Sequence, residues 1–251
     1  MWYSRSVATT STNKLKDLYE NLVPGRPLTS ATLAEHGISA DLAVHYARSG
    51  WLKRLARGVY CRPGEPLSRD GSLLVLQHMI KGLHVGGKTA LDWYGVRHYV
   101  ASREVLRLYG WTAARLPEWF TSRFESAYHR KRLFHESPDD MRHVAPLDRR
   151  EGAPLTSSPE RATLEILSEV GVRESMGEAR EILEGAYNLR PDVLNELLQQ
   201  CTSVKTVRLC IKLAHELNMG WSEKLEIAKF PTGSDRPWVS KSRDGLLILR
   251  P

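Results

Sequence analysis

The sequence predicts an α+β protein, an N-terminal winged helix-turn-helix followed by a larger mixed α/β region with a small antiparallel sheet and several helices. Three observations predict it. Residues 29–63 hold two short helical segments separated by a glycine and followed by a basic, glycine-tipped strand pair. Residues 104–147 break into short apolar or aromatic segments of strand length, and residues 159–217 carry apolar side chains at helical period. The corresponding partition is a winged domain over 1–66 and a second domain over 67–251.

The elements follow in order. Asn13 to Leu22 puts Leu15, Leu18, Tyr19 and Leu22 on one helical face, and Val23-Pro24-Gly25-Arg26-Pro27 breaks it. Thr29 or Ser30 caps a second helix, which Leu33 and Ala34 make apolar on one side. Gly37 stops it, because glycine tolerates the left-handed backbone that a helix C-terminus often needs. Ser39 caps a third helix, in which Leu42 and Tyr46, with Ile38 before the cap, face the core. Asp41, His45 and Arg48 share the opposite side. Past Gly50, Trp51 to Leu55 and Val59 to Cys61 flank Ala56-Arg57-Gly58 as a short hairpin with a cationic tip.

Beyond the connector Pro63 to Pro66, apolar residues at 73, 76, 80 and 83 predict a helix over 72–83, and another is expected over 89–94. The segments VLRLYGW, EWFTSRF, SAYHRKRLF and HVAPL read as strands of a mostly antiparallel sheet. Ser157, three residues before Glu160, is a capping-box pattern with Pro159 in the first turn, so PERATLEILSEV is a helix. REILEGAY, PDVLNELLQQC and VKTVRLCIKLAHEL are further helices, with breaks at Asn188 to Pro191 and Thr202 to Ser203. DGLLILRP returns as an edge strand.

Charge is unevenly distributed. Residues 1–66 carry nine Lys or Arg against five Asp or Glu, 67–150 fourteen against nine, and 151–251 thirteen against fifteen. A basic front and a mildly acidic back fit a nucleic-acid surface joined to a region that need not touch DNA. At 251 residues with 41% hydrophobic content the chain can bury a core in each of two domains. It holds no run of about 18 apolar residues, so no membrane span is expected, and MWYSRSVATTSTNK lacks the apolar block of a secretion signal. A cytoplasmic location is the expectation, and no metal or disulfide framework is read from Cys61, Cys201 and Cys210.

One motif points elsewhere. Gly82 to Thr89 (GLHVGGKT) matches the phosphate-loop pattern, in which backbone amides cradle phosphates and the lysine neutralises them. The pattern carries weight when a buried strand precedes it, yet the residues before it have helical spacing interrupted by Gln77, His78 and Lys81. Nor does an apolar strand ending in Asp supply a magnesium ligand. A carboxylate followed two positions later by lysine, as in many metal-dependent nucleases, is absent. His78 and His84, or His129, His135 and His143, lack compact ligand spacing. The expectation is a protein that is not an enzyme and needs no cofactor.

The residues left to carry function are candidate contacts to double-stranded DNA. Ser39, His45 and Arg48 would approach the major groove, Lys53, Arg54 and Arg57 would grip phosphates, and Thr29 stands at the start of the helix pair. The chain also resembles the AbiEi family, bacterial antitoxins of AbiE-type (type IV) abortive-infection toxin-antitoxin systems that act as transcriptional repressors. ISADLAVHYARSGWLKRLARGVYCRP looks like that family's second helix and wing, TALDWYGV resembles the helix-to-glycine segment that follows, and TSSPERATLEIL is similar to its Ser-Pro-Glu-Arg-Ala helix. The blocks span about Thr29 to Leu167. The resemblance implies binding to repeated operator sequences and opposition to a nucleotidyltransferase-like toxin. Two readings stand beside it, an ordinary winged-helix transcription factor with a sensing C-terminal domain and a P-loop nucleotide-binding enzyme.

Overall fold

A computed structural model describes residues 14–20, 22–96, 105–242 and 245–250. The opening residues read above for a secretion signal, and Asn13 of the first helix, lie outside them. The chain divides into two compact units, one of residues 1–79, 116–124 and 152–154 and one of 80–115, 125–151 and 155–251. Both helices and sheets are present in a mixed α and β protein.

A compact hydrophobic cluster organises the N-terminal part of the first unit. Helix α1 (14–20) buries Leu15 and Leu18 in a cluster with Leu28, Leu33, Ile38, Ala43, Tyr46, Leu52 and Tyr60, and Tyr19, Leu22 and Leu42 pack at its margin. Around that cluster lie β1 (Leu28–Thr29), α2 (Ser30–Glu35), α3 (Ala40–Arg48), β2 (Lys53–Ala56) and β3 (Val59–Cys61). The three strands form one antiparallel sheet in the order β1-β3-β2. Between α2 and α3, Gly37 has φ +71°, and the Lys14 ammonium donates to its carbonyl at 3.0 Å, pinning the turn to α1.

Helix α4 (Arg69–Met79) ends earlier than its apolar spacing suggests. Ile80 and Leu83 are buried by a turn, Leu83 N donating to Ile80 O at 3.1 Å, and a turn also brings i and i+3 together. The segment EWFTSRF is a correction of kind. It forms one helical turn at Glu118–Thr121 after Pro117, not a strand, and buries the consecutive Trp119 and Phe120. A strand would send those two rings to opposite faces.

The second unit carries a five-stranded sheet of β4 (His84–Val85), β5 (Leu106–Gly110), β6 (Ser126–Arg130), β7 (Val144–Pro146) and β8 (Leu155–Ser157), in the order β6-β5-β4-β8-β7. The sheet is mixed where a mostly antiparallel one was expected, since β5 with β6 and β4 with β8 are parallel. The β4–β8 pair leaves little trace in the sequence because its strands, two and three residues long, are too short to show alternation. Helix α5 (Gly87–Trp93) buries Ala90 and Leu91 against Ala162 and Ile166 of the Pro159–Glu169 helix.

Three further helices, Met176–Gly185, Pro191–Gln199 and Val204–Glu216, enclose an extensive core, which includes Leu183, Leu194, Leu197, Leu209 and Leu213. Their breaks fall as expected, at Arg190 before Pro191 and at Ser203, whose hydroxyl accepts from Thr206 N. The last strand β10 (Gly245–Leu249) pairs antiparallel with β9 (Trp238–Ser242) and turns Leu247 and Leu249 inward. Cys61, Cys201 and Cys210 are buried free thiols, and burial pushes Cys201 up to about 11 and Cys210 to about 12.

Candidate nucleic-acid interface

The helix pair is set by its caps. Thr29 Oγ1 accepts from Thr32 N at 3.1 Å and starts α2, and Ser39 Oγ accepts from Leu42 N at 3.3 Å and starts α3. Both hydroxyls are therefore engaged in capping, and Thr29 is half-buried while Ser39 is exposed. On α3, Ala43 and Tyr46 face the core, and His45 and Arg48 are exposed on the side the sequence assigned them. Ser49 closes the helix by donating from Oγ to His45 O at 2.9 Å.

The hairpin that follows is fastened to the start of α2. Ser30 N donates to Gly58 O at 2.9 Å, and Thr29 is registered opposite Val59, so Thr29 and the Arg57–Gly58 turn come together. Arg57 is exposed. Lys53 and Arg54 open β2, the edge strand, and the pleat sends their side chains to opposite faces of the sheet. Arg54 Nε donates to Ala56 O at 3.3 Å across a register shift between Arg54 and Ala56, which holds its guanidinium along the hairpin.

One exposed residue escaped the list drawn from charge. Trp51, between α3 and β2, is 56% exposed, while its neighbour Leu52 is 1% exposed. Its backbone is clamped on both sides, N donating to Tyr46 O at 2.9 Å and the carbonyl accepting from the Tyr19 hydroxyl. Large exposed aromatics leave no signature in periodicity, so the sequence placed Trp51 merely in a strand.

The glycine-rich segment in the second unit serves an internal anion. β4 occupies residues 84 and 85, inside the phosphate-loop pattern, where a nucleotide loop would have to wrap. Gly86 N donates to Arg107 O at 3.0 Å and Gly87 N to Glu165 Oε2 at 3.0 Å. A Cβ on Gly86 would lie 2.2 Å from Glu165 Oε2, so the close approach of that carboxylate requires glycine. Lys88 pairs with Glu174 and Glu178, and Thr89 Oγ1 accepts from Arg107 N at 2.8 Å.

Glu165 belongs to a charged ladder. Arg161, Glu165, Glu169 and Arg173 recur at intervals of four, one face of a helical path, and the first three are buried. Glu165 accepts from His84 Nε2 at 2.9 Å, Ser157 Oγ at 2.9 Å and Arg161 Nε at 3.1 Å; Arg161 also reaches Glu136. Burial opposes the charge on Glu165, yet His84 and Arg161 with the Gly87 amide hold its carboxyl below the usual range. Glu169 is likewise held far down by His129, Arg173 and Lys131 against the same burial. The expected capping box of Ser157 and Glu160 does not form. Ser158 is the cap, accepting from Arg161 N at 3.4 Å, Ser157 donates to Glu165 from β8, and Glu160 pairs with Arg190. A complete capping box stands instead at Ser175 and Glu178.

Among the described residues no group of three His, Cys, Asp or Glu side chains could hold a metal ion, and no helix is long and apolar enough to cross a membrane.

No curated protein matches the chain. Its fold is similar to the crystal structure of the RV2827C protein from Mycobacterium tuberculosis, with a TM-score of 0.55 and 16% identity over 92% of this chain and 89% of that one. Residues 103–250 match the family described as "Transcriptional regulator, AbiEi antitoxin, Type IV TA system", and residues 11–102 match its counterpart described as "Transcriptional regulator, AbiEi antitoxin N-terminal domain". With 11–250 covered by the two, the chain belongs to the AbiEi family of transcriptional regulators and antitoxins of type IV toxin-antitoxin systems.

Proposed function

We propose that the chain binds operator duplex DNA through an N-terminal winged helix-turn-helix, represses its own operon, and counters a nucleotidyltransferase-like toxin in the cytoplasm. The observation that carries the reading is the exposed face of α3, with His45 and Arg48, followed by a cationic hairpin bonded to the start of α2. An exposed helix can enter a major groove, and a hairpin beside it meets the flanking phosphates. In this reading Ser39, His45 and Arg48 approach base edges, Lys53, Arg54 and Arg57 contact phosphates, and Thr29 fixes the start of α2 against the hairpin.

The DNA-binding role is assigned to 1–66 and the antitoxin role to 67–251, the latter by analogy with the family alone. Two tests separate the roles. Titration of the full chain into a labelled duplex from upstream of its gene should give saturable binding that beats a scrambled duplex. Co-expression with the neighbouring toxin gene should restore growth; operator binding without rescue would leave an ordinary repressor.

A further inference from the structure

We propose that Trp51 is a DNA-contacting residue whose indole packs on deoxyribose beside the groove that α3 enters. The inference rests on the DNA-binding reading above and adds to it an uncharged contact. Three observations carry it.

The indole is 56% exposed although its backbone is held at both ends, by Tyr46 O and by the Tyr19 hydroxyl. A ring presented on a fixed backbone loses little conformational freedom when a partner covers it. In the sequence the residue also stands between cations. Arg48 ends α3 and Lys53 opens β2, both are exposed, and neither is ion-paired among the described residues. An aromatic surface flanked by positive charge is complementary to the sugar-phosphate backbone, where the cations take phosphate and the ring takes the apolar sugar face. Finally, the exposed indole carries an N–H donor that a phosphate oxygen can accept. An apolar protein partner would favour an uncharged rim, which this site lacks.

The contact has a signature of its own. Phosphate-gripping cations set the salt dependence of binding, and base-edge contacts set sequence preference. A sugar contact by an uncharged ring moves neither. We therefore predict that Trp51→Ala weakens binding on the order of tenfold on operator and scrambled duplex alike, at every salt concentration, with the log–log salt slope of the wild type. Trp51→Phe should recover most of that loss.

The experiment is fluorescence anisotropy with the full chain, both duplexes and a salt series. Circular dichroism checks the fold of each variant, and Trp51→Gln serves as a second truncation should Trp51→Ala lose it. A Trp51→Ala or Trp51→Gln affinity within about twofold of wild type on both duplexes overturns the proposal. So does a loss confined to the operator, or one that appears as a changed salt slope. Failure of the wild type to bind either duplex is a different result, because it removes the DNA-binding reading and the role of Trp51 with it.

Discussion

At Glu165 four donors converge on one buried carboxylate, from His84, Ser157, Arg161 and the Gly87 amide. Glu165→Gln removes the charge that those groups are arranged around, and Arg161 loses one of its two carboxylate partners. Breaking a buried pair from one side costs about 3–5 kcal/mol, so the variant should lose that much in urea unfolding, and an unchanged midpoint would refute the ladder's structural weight. On the surface the same logic separates the candidate DNA contacts by kind. Arg57→Ala should weaken binding to all duplexes alike and reduce the magnitude of the salt slope by about one, whereas His45→Ala should alter the preference for operator over scrambled DNA. Anisotropy titrations at several salt concentrations distinguish the two. The Arg57 and His45 side chains were legible in the sequence because charge and helical phase expose them. Trp51 was not, since apolar side chains read from sequence default to the core.

Among the elements, those that punctuation residues define were legible and those that packing defines were not. Thr29, Gly37 and Ser39 announce the α2–α3 turn, and the structure places caps and a positive φ at those positions. Gly37→Val forces a β-branched residue into the left-handed region and should cost roughly 1–2 kcal/mol or more, read as a lowered thermal midpoint. EWFTSRF misleads because its aromatic content suits a strand, while Pro117 and the adjacent burial of Trp119 and Phe120 make it a helical turn. β4 and β8 are too short for period-two patterning, and their parallel pairing is decided by what they pack between. The phosphate-loop pattern shows the same limit: its spacing fits a nucleotide, and its amide at Gly87 is given to Glu165, seventy-eight residues away.

For the whole molecule, the carboxylates give stability a direction with pH. Glu160, Glu165 and Glu169 are buried, and each is held below its ordinary value by cationic or hydrogen-bonding partners. A carboxyl depressed in the folded state stabilises it fully above the unfolded value near 4.5, and that stability drains away as pH falls towards the folded value. Urea midpoints should therefore drop steeply below pH 4.5, and equal midpoints at pH 7 and pH 3.5 would contradict it. Lys205 acts in the same direction in a higher pH window. Burial lowers it to about 8, so the unfolded chain binds the extra proton between pH 8 and its ordinary 10.5, and stability from this group rises over that window.

Family membership covers residues 11–250, but the act that makes a repressor, duplex binding, is the claim on which the interface depends. The direct measurement is a salt-series titration of the wild-type chain into the duplex upstream of its own gene. The account predicts saturable binding with preference over scrambled DNA and a negative log–log salt slope; no binding to any duplex at low salt would contradict it.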